Sequence, residues 1–219
     1  MATATIEATT LGDDPRVMPR TTAALFICGG LLTVVGGQMH PRGSGGSFDT
    51  HLLSMLESPT WPLAHTVLLM GAVASLSAFI AAWSTQAFGP HVQRWLPLVA
   101  VGWGFGAAEM VPHLLAAHEA HALEHHQPTP VLDLHVMLQA IASPAVGLTG
   151  ACVAVAIARA ARTRPSQVLA AFAVVGGLLS ALAGPLIVTT EDTRFAILFP
   201  FQALLAVWLI GTGVRLWRR

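Results

Sequence analysis

The sequence predicts an all-α integral membrane protein with six transmembrane helices in one bundle. Of the 219 residues, 54% are hydrophobic and only 10% are charged, whereas soluble domains average about 25% charged residues. Six apolar stretches come near or exceed the roughly 20 residues with which a helix crosses a bilayer. We therefore expect one transmembrane domain over residues 21–219, preceded by a disordered cytoplasmic leader over residues 1–20.

The six predicted spans follow one another with mostly short connections. The first is marginal in length, and the fourth is long and contains Pro144, which predicts a kink or a tilt. The two longer connections are a Gly/Ser-rich stretch at 41–59 and a His/Pro-rich stretch at 118–131. The predicted spans are Thr22 to Gln38, Pro62 to Trp83, Trp95 to Ala117, Leu132 to Ala158, Gln167 to Val188 and Phe195 to Trp217.

The arginines predict the orientation of these spans. Six spans place both termini on the same side, and only Arg42 and Arg194 fall on the opposite side. Because cytoplasmic loops carry an excess of basic residues, we expect both termini to be cytoplasmic, in a multi-pass protein of the plasma membrane or cell inner membrane. The arginines on the terminal side are Arg16, Arg20, Arg94, Arg159, Arg162, Arg164, Arg215, Arg218 and Arg219.

The histidines are segregated to the opposite side of the predicted membrane. Nine of the ten histidines fall on the outer side, and the exception is His91. Most carboxylates lie near the same face, including Glu191 and Asp192, which can pair with Arg194 in the last outer turn. A surface rich in imidazole and carboxylate attracts cations and can bind hard or borderline metal ions.

The third span carries the first candidate site. Glu109 and His113 are four residues apart, so they lie on the same face of a helix. Pro112 lies between them, removes a backbone donor and disturbs the carbonyl of Ala108. An ionisable residue at membrane depth costs roughly 2.5 to 3.5 kcal/mol and usually faces the bundle interior. The pair is therefore predicted to form a catalytic acid–base or ligand site.

Two further histidines are predicted at a similar depth. His65 lies about one turn into the second span, and His135 lies at the start of the fourth span after Asp133. Together with Glu109 and His113 they form the predicted metal site, in which the three histidines are the cofactor-binding residues. Asp133 is expected to orient a histidine by hydrogen bonding, as carboxylates behind metal-bound histidines do.

A second histidine cluster lies in the connection after the third span. If this connection is helical, His118, His121 and His125 form one stripe, which can place two or three imidazoles on one metal ion. If it is a loop, it is a His-rich tract of weak metal affinity. The sequence around His118 is one residue too short for the H-E-x-x-H metalloprotease motif, so a protease of that class is not expected.

The favoured function is a membrane-embedded metalloprotein with a redox or metal-dependent role in the outer leaflet. The cofactor is predicted to be a metal ion (Zn, Fe or Cu) or haem b, because histidine binds all of them. Whether the protein is an enzyme stays open at this point.

Other functions remain open. One is a metal-free isomerase or cyclase that uses Glu109 and His113 on a prenyl or other lipid-soluble substrate. Two others are a transporter of protons or metal cations and an accessory subunit of a larger membrane complex. Whether the chain forms a homo-oligomer also stays open. The bilayer itself is an expected partner. The chain has no lysine, which excludes retinal-type Schiff-base chemistry, and its zero net charge gives no reason to expect nucleic acid.

Overall fold

The computed structural model describes residues 17–218, which are helical over 85% of the chain and contain no strand. Six helices are long and apolar enough to span a membrane, as predicted. Residues 17–20, assigned to the leader by the sequence, already belong to the first helix, and the rest of that predicted leader lies outside the described residues. The helices are α1 (Val17–Met39), α2 (Phe48–Leu56), α3 (Trp61–Ser84), α4 (Pro90–Gln93), α5 (Leu96–Leu115), α6 (Ala120–Glu124), α7 (Pro130–Ala161), α8 (Arg164–Thr190) and α9 (Gln202–Trp217), with 3₁₀ segments at Ala116–Glu119 and Thr193–Phe201.

Proline and short polar turns set the helix boundaries. Helices α3, α4, α5, α7 and α8 have proline in the first turn, where the missing N–H breaks no hydrogen bond. Helices α7 and α8 both end at a residue in the left-handed conformation, Arg162 and Glu191. Inside the long helices proline is tolerated, because α5 continues through Pro112 and α7 through Pro144.

The six long helices form a closed ring in chain order. Helix α1 packs on α3, α3 on α5, α5 on α7, α7 on α8, α8 on α9, and α9 returns to α1. Small residues permit the closest approaches, because a Cβ atom on Gly147 of α7 would collide with the carbonyl oxygen of Gly177 on α8. Large apolar side chains such as Leu31, Val101 and Leu178 are exposed on the outside of the ring, where a lipid-facing surface requires them.

The two ends of the ring differ in composition. One end, here called the histidine end, contains the C-termini of α1 and α5 and the N-termini of α3 and α7. The opposite end, called the arginine end, contains seven of the described arginines and His91. At the histidine end Asp192 pairs with Arg194 at 2.6 Å, as the sequence allowed, and caps the 3₁₀ segment Thr193–Phe201.

An apolar core fills the half of the ring nearer the arginine end. Phe26 and Phe79 meet edge to face at 5.1 Å between ring centroids, and Phe79 also contacts Trp103 and Trp208. All four aromatic side chains are buried, with at most 3% exposure. These packed aromatic side chains therefore fill the interior of the helix ring between the histidines and the arginine end.

Candidate metal centre

The histidine end brings together five ionisable side chains, four from three helices and one from the residue that follows α1. Because neighbouring helices run in opposite directions, the C-terminal turns of α1 and α5 meet the N-terminal turns of α3 and α7. The five residues are His40 directly after α1, His65 in α3, Glu109 and His113 in α5, and His135 in α7.

Four of these five side chains are almost completely removed from solvent. The exposed fraction is 0% for His65, 3% for His135, and 5% for both Glu109 and His113. His40 is partly buried, and this burial lowers the pKa of its imidazole below the usual range. Burying polar groups costs free energy unless they find partners, so the contacts within the cluster determine how it is tolerated.

One carboxylate oxygen of Glu109 contacts two imidazoles. The Nδ1 atom of His135 donates a hydrogen bond of 2.6 Å to Oε1 of Glu109. The Nδ1 atom of His113 lies 3.1 Å from the same oxygen, without the alignment of a hydrogen bond. The two rings stack with 3.8 Å between centroids. Glu109 therefore fixes both rings from their Nδ1 side and leaves each Nε2 atom free.

Backbone carbonyls hold the other two histidines in the same way. The Nδ1 atom of His65 bonds to the carbonyl oxygen of Trp61 at 2.7 Å, and that of His40 to the carbonyl oxygen of Pro41 at 2.8 Å. Because a carbonyl only accepts, Nδ1 carries the hydrogen and Nε2 keeps its lone pair. The Nε2 atom of His65 is buried without a hydrogen-bond partner among the described residues.

The nitrogen and oxygen atoms form two overlapping groups that could hold a metal ion. One group consists of His40, His65 and His113, and the other of Glu109, His113 and His135. Within each group the ligand atoms lie within 4.8 Å of one another. Since metal–nitrogen bonds are about 2.0–2.1 Å long, two nitrogens on one ion lie within roughly 4.2 Å. Small side-chain shifts are therefore enough to close either group around an ion.

An apolar cluster covers the site at the histidine end. Trp61, Ala116 and Leu132 each lie about one turn closer to that end than His65, His113 and His135, respectively. Leu52 and Leu56 of α2 pack on these three residues, and the ring of Trp61 lies 3.9 Å from the ring of His65. The site is thus enclosed between this cluster and the aromatic core, in surroundings that strengthen electrostatic interactions.

The structure brings together all four residues of the predicted inner site, His65, Glu109, His113 and His135, and adds His40. His40 was not among the residues predicted for the site, although its position directly after an apolar span, at the same end as His65, was a usable signal. The expected partner of the histidines, Asp133, is exposed and accepts a 3.4 Å hydrogen bond from Thr129 instead. Residues two apart on a helix point to different sides, so Asp133 does not face the site with His135.

The exposed histidine cluster differs from the predicted stripe. His121, Glu124 and His125 form an exposed group, and the rings of the two histidines are 4.2 Å apart. His118 is not part of this group, because Ala116–Glu119 is a 3₁₀ segment and interrupts the helix on which the stripe depended. The stripe of His118, His121 and His125 was predicted only for a continuous helix, and the 3₁₀ segment that contains His118 means that this condition is not met there.

Glu119 has a structural role that was not predicted from the sequence. Its carboxylate accepts hydrogen bonds from the backbone N–H groups of Val131 at 3.2 Å and Leu132 at 2.8 Å. These N–H groups lie in the first turn of α7, where they have no acceptor within the helix and where a negative charge interacts favourably with the helix dipole. The contact ties the connection after α5 to the helix that carries His135.

Comparisons with protein-family models, with curated proteins and with solved structures found no match to this chain. Its function is therefore inferred from the chemistry of the five clustered side chains. The buried groups of His and Glu residues could hold a metal ion, and the six apolar helices place them in a protein built to span a membrane.

Proposed function

We propose that this protein is a membrane-embedded metalloprotein that binds a first-row transition metal ion through His40, His65 and His113. The observation that carries the proposal is the convergence of three imidazoles whose ligand atoms lie within 4.8 Å. Imidazole suits zinc, copper and iron. The buried and unpartnered Nε2 atom of His65 would gain in a bound ion the partner that it lacks.

Glu109, which also holds His135, would orient the metal ligand His113 without itself binding the ion. Histidines that bind metals usually direct their second ring nitrogen to a carboxylate or carbonyl, which fixes the tautomer and strengthens the ligand. His40 and His65 have carbonyl partners of this kind, and His113 has Glu109. Three protein ligands leave a fourth position for water or substrate, as a redox or metal-dependent reaction requires.

A bare ion fits the cluster better than haem b. Two axial histidines bind haem from opposite faces, with the porphyrin plane between them. The rings of His65, His113 and His135 instead follow one another with centroid distances of 4.2 and 3.8 Å, and a porphyrin does not fit between rings at this spacing. Zinc, iron or copper is therefore the cofactor we propose.

The packed interior argues against ion transport. A conduction path needs polar groups along the whole bundle, but Phe26, Phe79, Trp103 and Trp208 fill the half nearer the arginine end.

We propose a plasma-membrane protein in which the arginine end and both termini are cytoplasmic, because cytoplasmic loops are rich in arginine. The metal centre then lies in the outer leaflet.

The decisive experiment is elemental analysis, with a visible spectrum, of the detergent-purified protein and its variants. The wild-type protein should contain a stoichiometric amount of zinc, iron or copper and show no Soret band. His65→Ala and His113→Ala should lose most of the metal. The matched control is His91→Ala at the arginine end, which should keep it. Equal metal content in all four proteins would rule out the proposed centre.

A metal-free acid–base enzyme is the second candidate, because Glu109 holds two imidazoles within reach of one carboxylate oxygen. It predicts that the purified protein contains no stoichiometric metal and that chelators leave its melting temperature unchanged. The metalloprotein predicts a lower melting temperature after chelation, because an ion that binds only the folded state stabilises it.

A further inference from the structure

A groove on the outside of the ring lies between α7 and α8 near the arginine end. It encloses about 400 Å³, which falls within the range of small-molecule binding sites. Its apolar lining comes from Val155, Ala158, Ala170, Ala171, Val174 and Val175, and its polar lining comes from Arg159 and Gln167.

Small side chains give the groove its depth. Ala158 and Ala170 are buried, and their small side chains leave open a space between the helices that larger residues would fill. Ala171 and Val175 are exposed, which leaves the groove open toward the surrounding bilayer. An apolar groove that opens sideways into lipid has the shape and chemistry of an acyl-chain site.

The nearby turn between α7 and α8 carries an unbalanced positive charge. Arg159, Arg162 and Arg164 are exposed, and none of them forms an ion pair with a carboxylate of the described residues. Two other arginines do have side-chain partners: Arg194 pairs with Asp192, and Arg215 donates hydrogen bonds to Ser166 and Thr163. Arg159 lines the groove, and Arg162 and Arg164 follow in the adjoining turn, so the three unpaired guanidinium groups match a ligand with an anionic head and an apolar tail.

We infer that this groove binds an anionic phospholipid, with an acyl chain on the alanine and valine surface and the phosphate on Arg159, Arg162 and Arg164. Basic pockets between helices at the cytoplasmic side of membranes bind such head groups. The inference does not depend on the metal centre, which lies at the opposite end of the ring.

Native mass spectrometry of the full-length protein with added lipid tests the inference. The probes are phosphatidylglycerol, which is anionic, and phosphatidylcholine with the same acyl chains, which is zwitterionic. The variants are the triple substitution Arg159→Gln, Arg162→Gln and Arg164→Gln, the groove-filling Ala171→Trp, and the control Arg218→Gln at the same end. The melting temperature verifies that each variant is folded.

The wild-type protein and Arg218→Gln should retain phosphatidylglycerol in preference to phosphatidylcholine. The triple variant should lose this preference, with affinity reduced on the order of 100-fold, because each arginine near the surface contributes about fivefold. Ala171→Trp should weaken the binding of both lipids. Equal retention of the two lipids by the wild-type protein, or the same preference in the triple variant as in the wild type, would overturn the inference.

Discussion

The Nδ1 atom of His135 lies 2.6 Å from the Oε1 atom of Glu109, although 26 residues separate them in the chain. The contact joins α5 to α7 inside the ring, in a place where both residues are at most 5% exposed. A charged acceptor makes such a hydrogen bond shorter and stronger than a neutral one. Glu109 therefore determines how His113 and His135, two of the four clustered histidines, are placed.

Replacement of Glu109 by glutamine should weaken metal binding without abolishing it. The amide has nearly the same shape but loses the charge that holds the Nδ1 atoms of His113 and His135. Loss of a group that hydrogen-bonds to a metal-binding histidine typically lowers the metal affinity about 10- to 100-fold. Competition with a chromophoric chelator measures this, and Glu57→Gln, exposed at the same end, is the control. An affinity equal to that of the control would contradict the assigned role of Glu109.

His40→Ala should reduce the metal affinity as His65→Ala does, because both residues belong to the same group of three histidines. His118→Ala, an exposed histidine at the same end, is the matched control and should leave the affinity unchanged. The same chelator competition applies. If His40→Ala behaves like the control, the ion is held by the group of Glu109, His113 and His135 instead.

The sequence predicts the spans well because the length of an apolar stretch and its flanking residues determine them directly. It also pairs Glu109 with His113, since four-residue spacing places them on one helix face. Partners on different helices depend on the register between helices, which a single sequence does not show. For this reason Asp133, close in sequence to His135, was assigned the role that Glu109 has in the structure, and Glu119 was not recognised.

Glu119→Ala should lower the stability of the protein and weaken metal binding together. The change removes two acceptors from the first turn of α7, and loss of a helix cap costs about 0.5–2 kcal/mol. His135 lies one turn further along α7, so fraying of this end would disturb its contact with Glu109. Thermal melting and chelator competition measure the two effects. Glu124→Ala, in the neighbouring exposed group, should change neither. If Glu119→Ala also leaves the melting temperature and the metal affinity unchanged, the cap is dispensable.

Gly147→Ala should destabilise the bundle, because the added methyl group collides with the carbonyl oxygen of Gly177 and forces α7 and α8 apart. Overpacking of this kind costs roughly 1–3 kcal/mol. The matched control is Gly104→Ala in α5, where a Cβ atom meets nothing within 4 Å and alanine favours the helix. Melting in detergent should show a lower temperature for the first variant and no decrease for the second.

The pairing of Asp192 with Arg194 should contribute to stability only above acidic pH. Hydrogen bonds from Arg194 lower the pKa of Asp192 below its usual range, so the folded state binds this proton less readily than the unfolded state. The contribution is present above the unfolded pKa of about 3.9 and is lost as the pH falls through the lower folded value. Asp192→Asn should reduce the difference in melting temperature between neutral and acidic pH, and an unchanged difference would contradict this.

The closed ring in chain order has a consequence for synthesis. A helix that enters the membrane finds its preceding neighbour already there, so most contacts form between consecutive segments. The contact between α1 and α9 is the exception, because it joins the two ends of the chain. All five side chains of the cluster lie between residues 40 and 135, on or beside the first four long helices. The centre can therefore be assembled before the last two helices are made, and their arrival seals a site that is already complete.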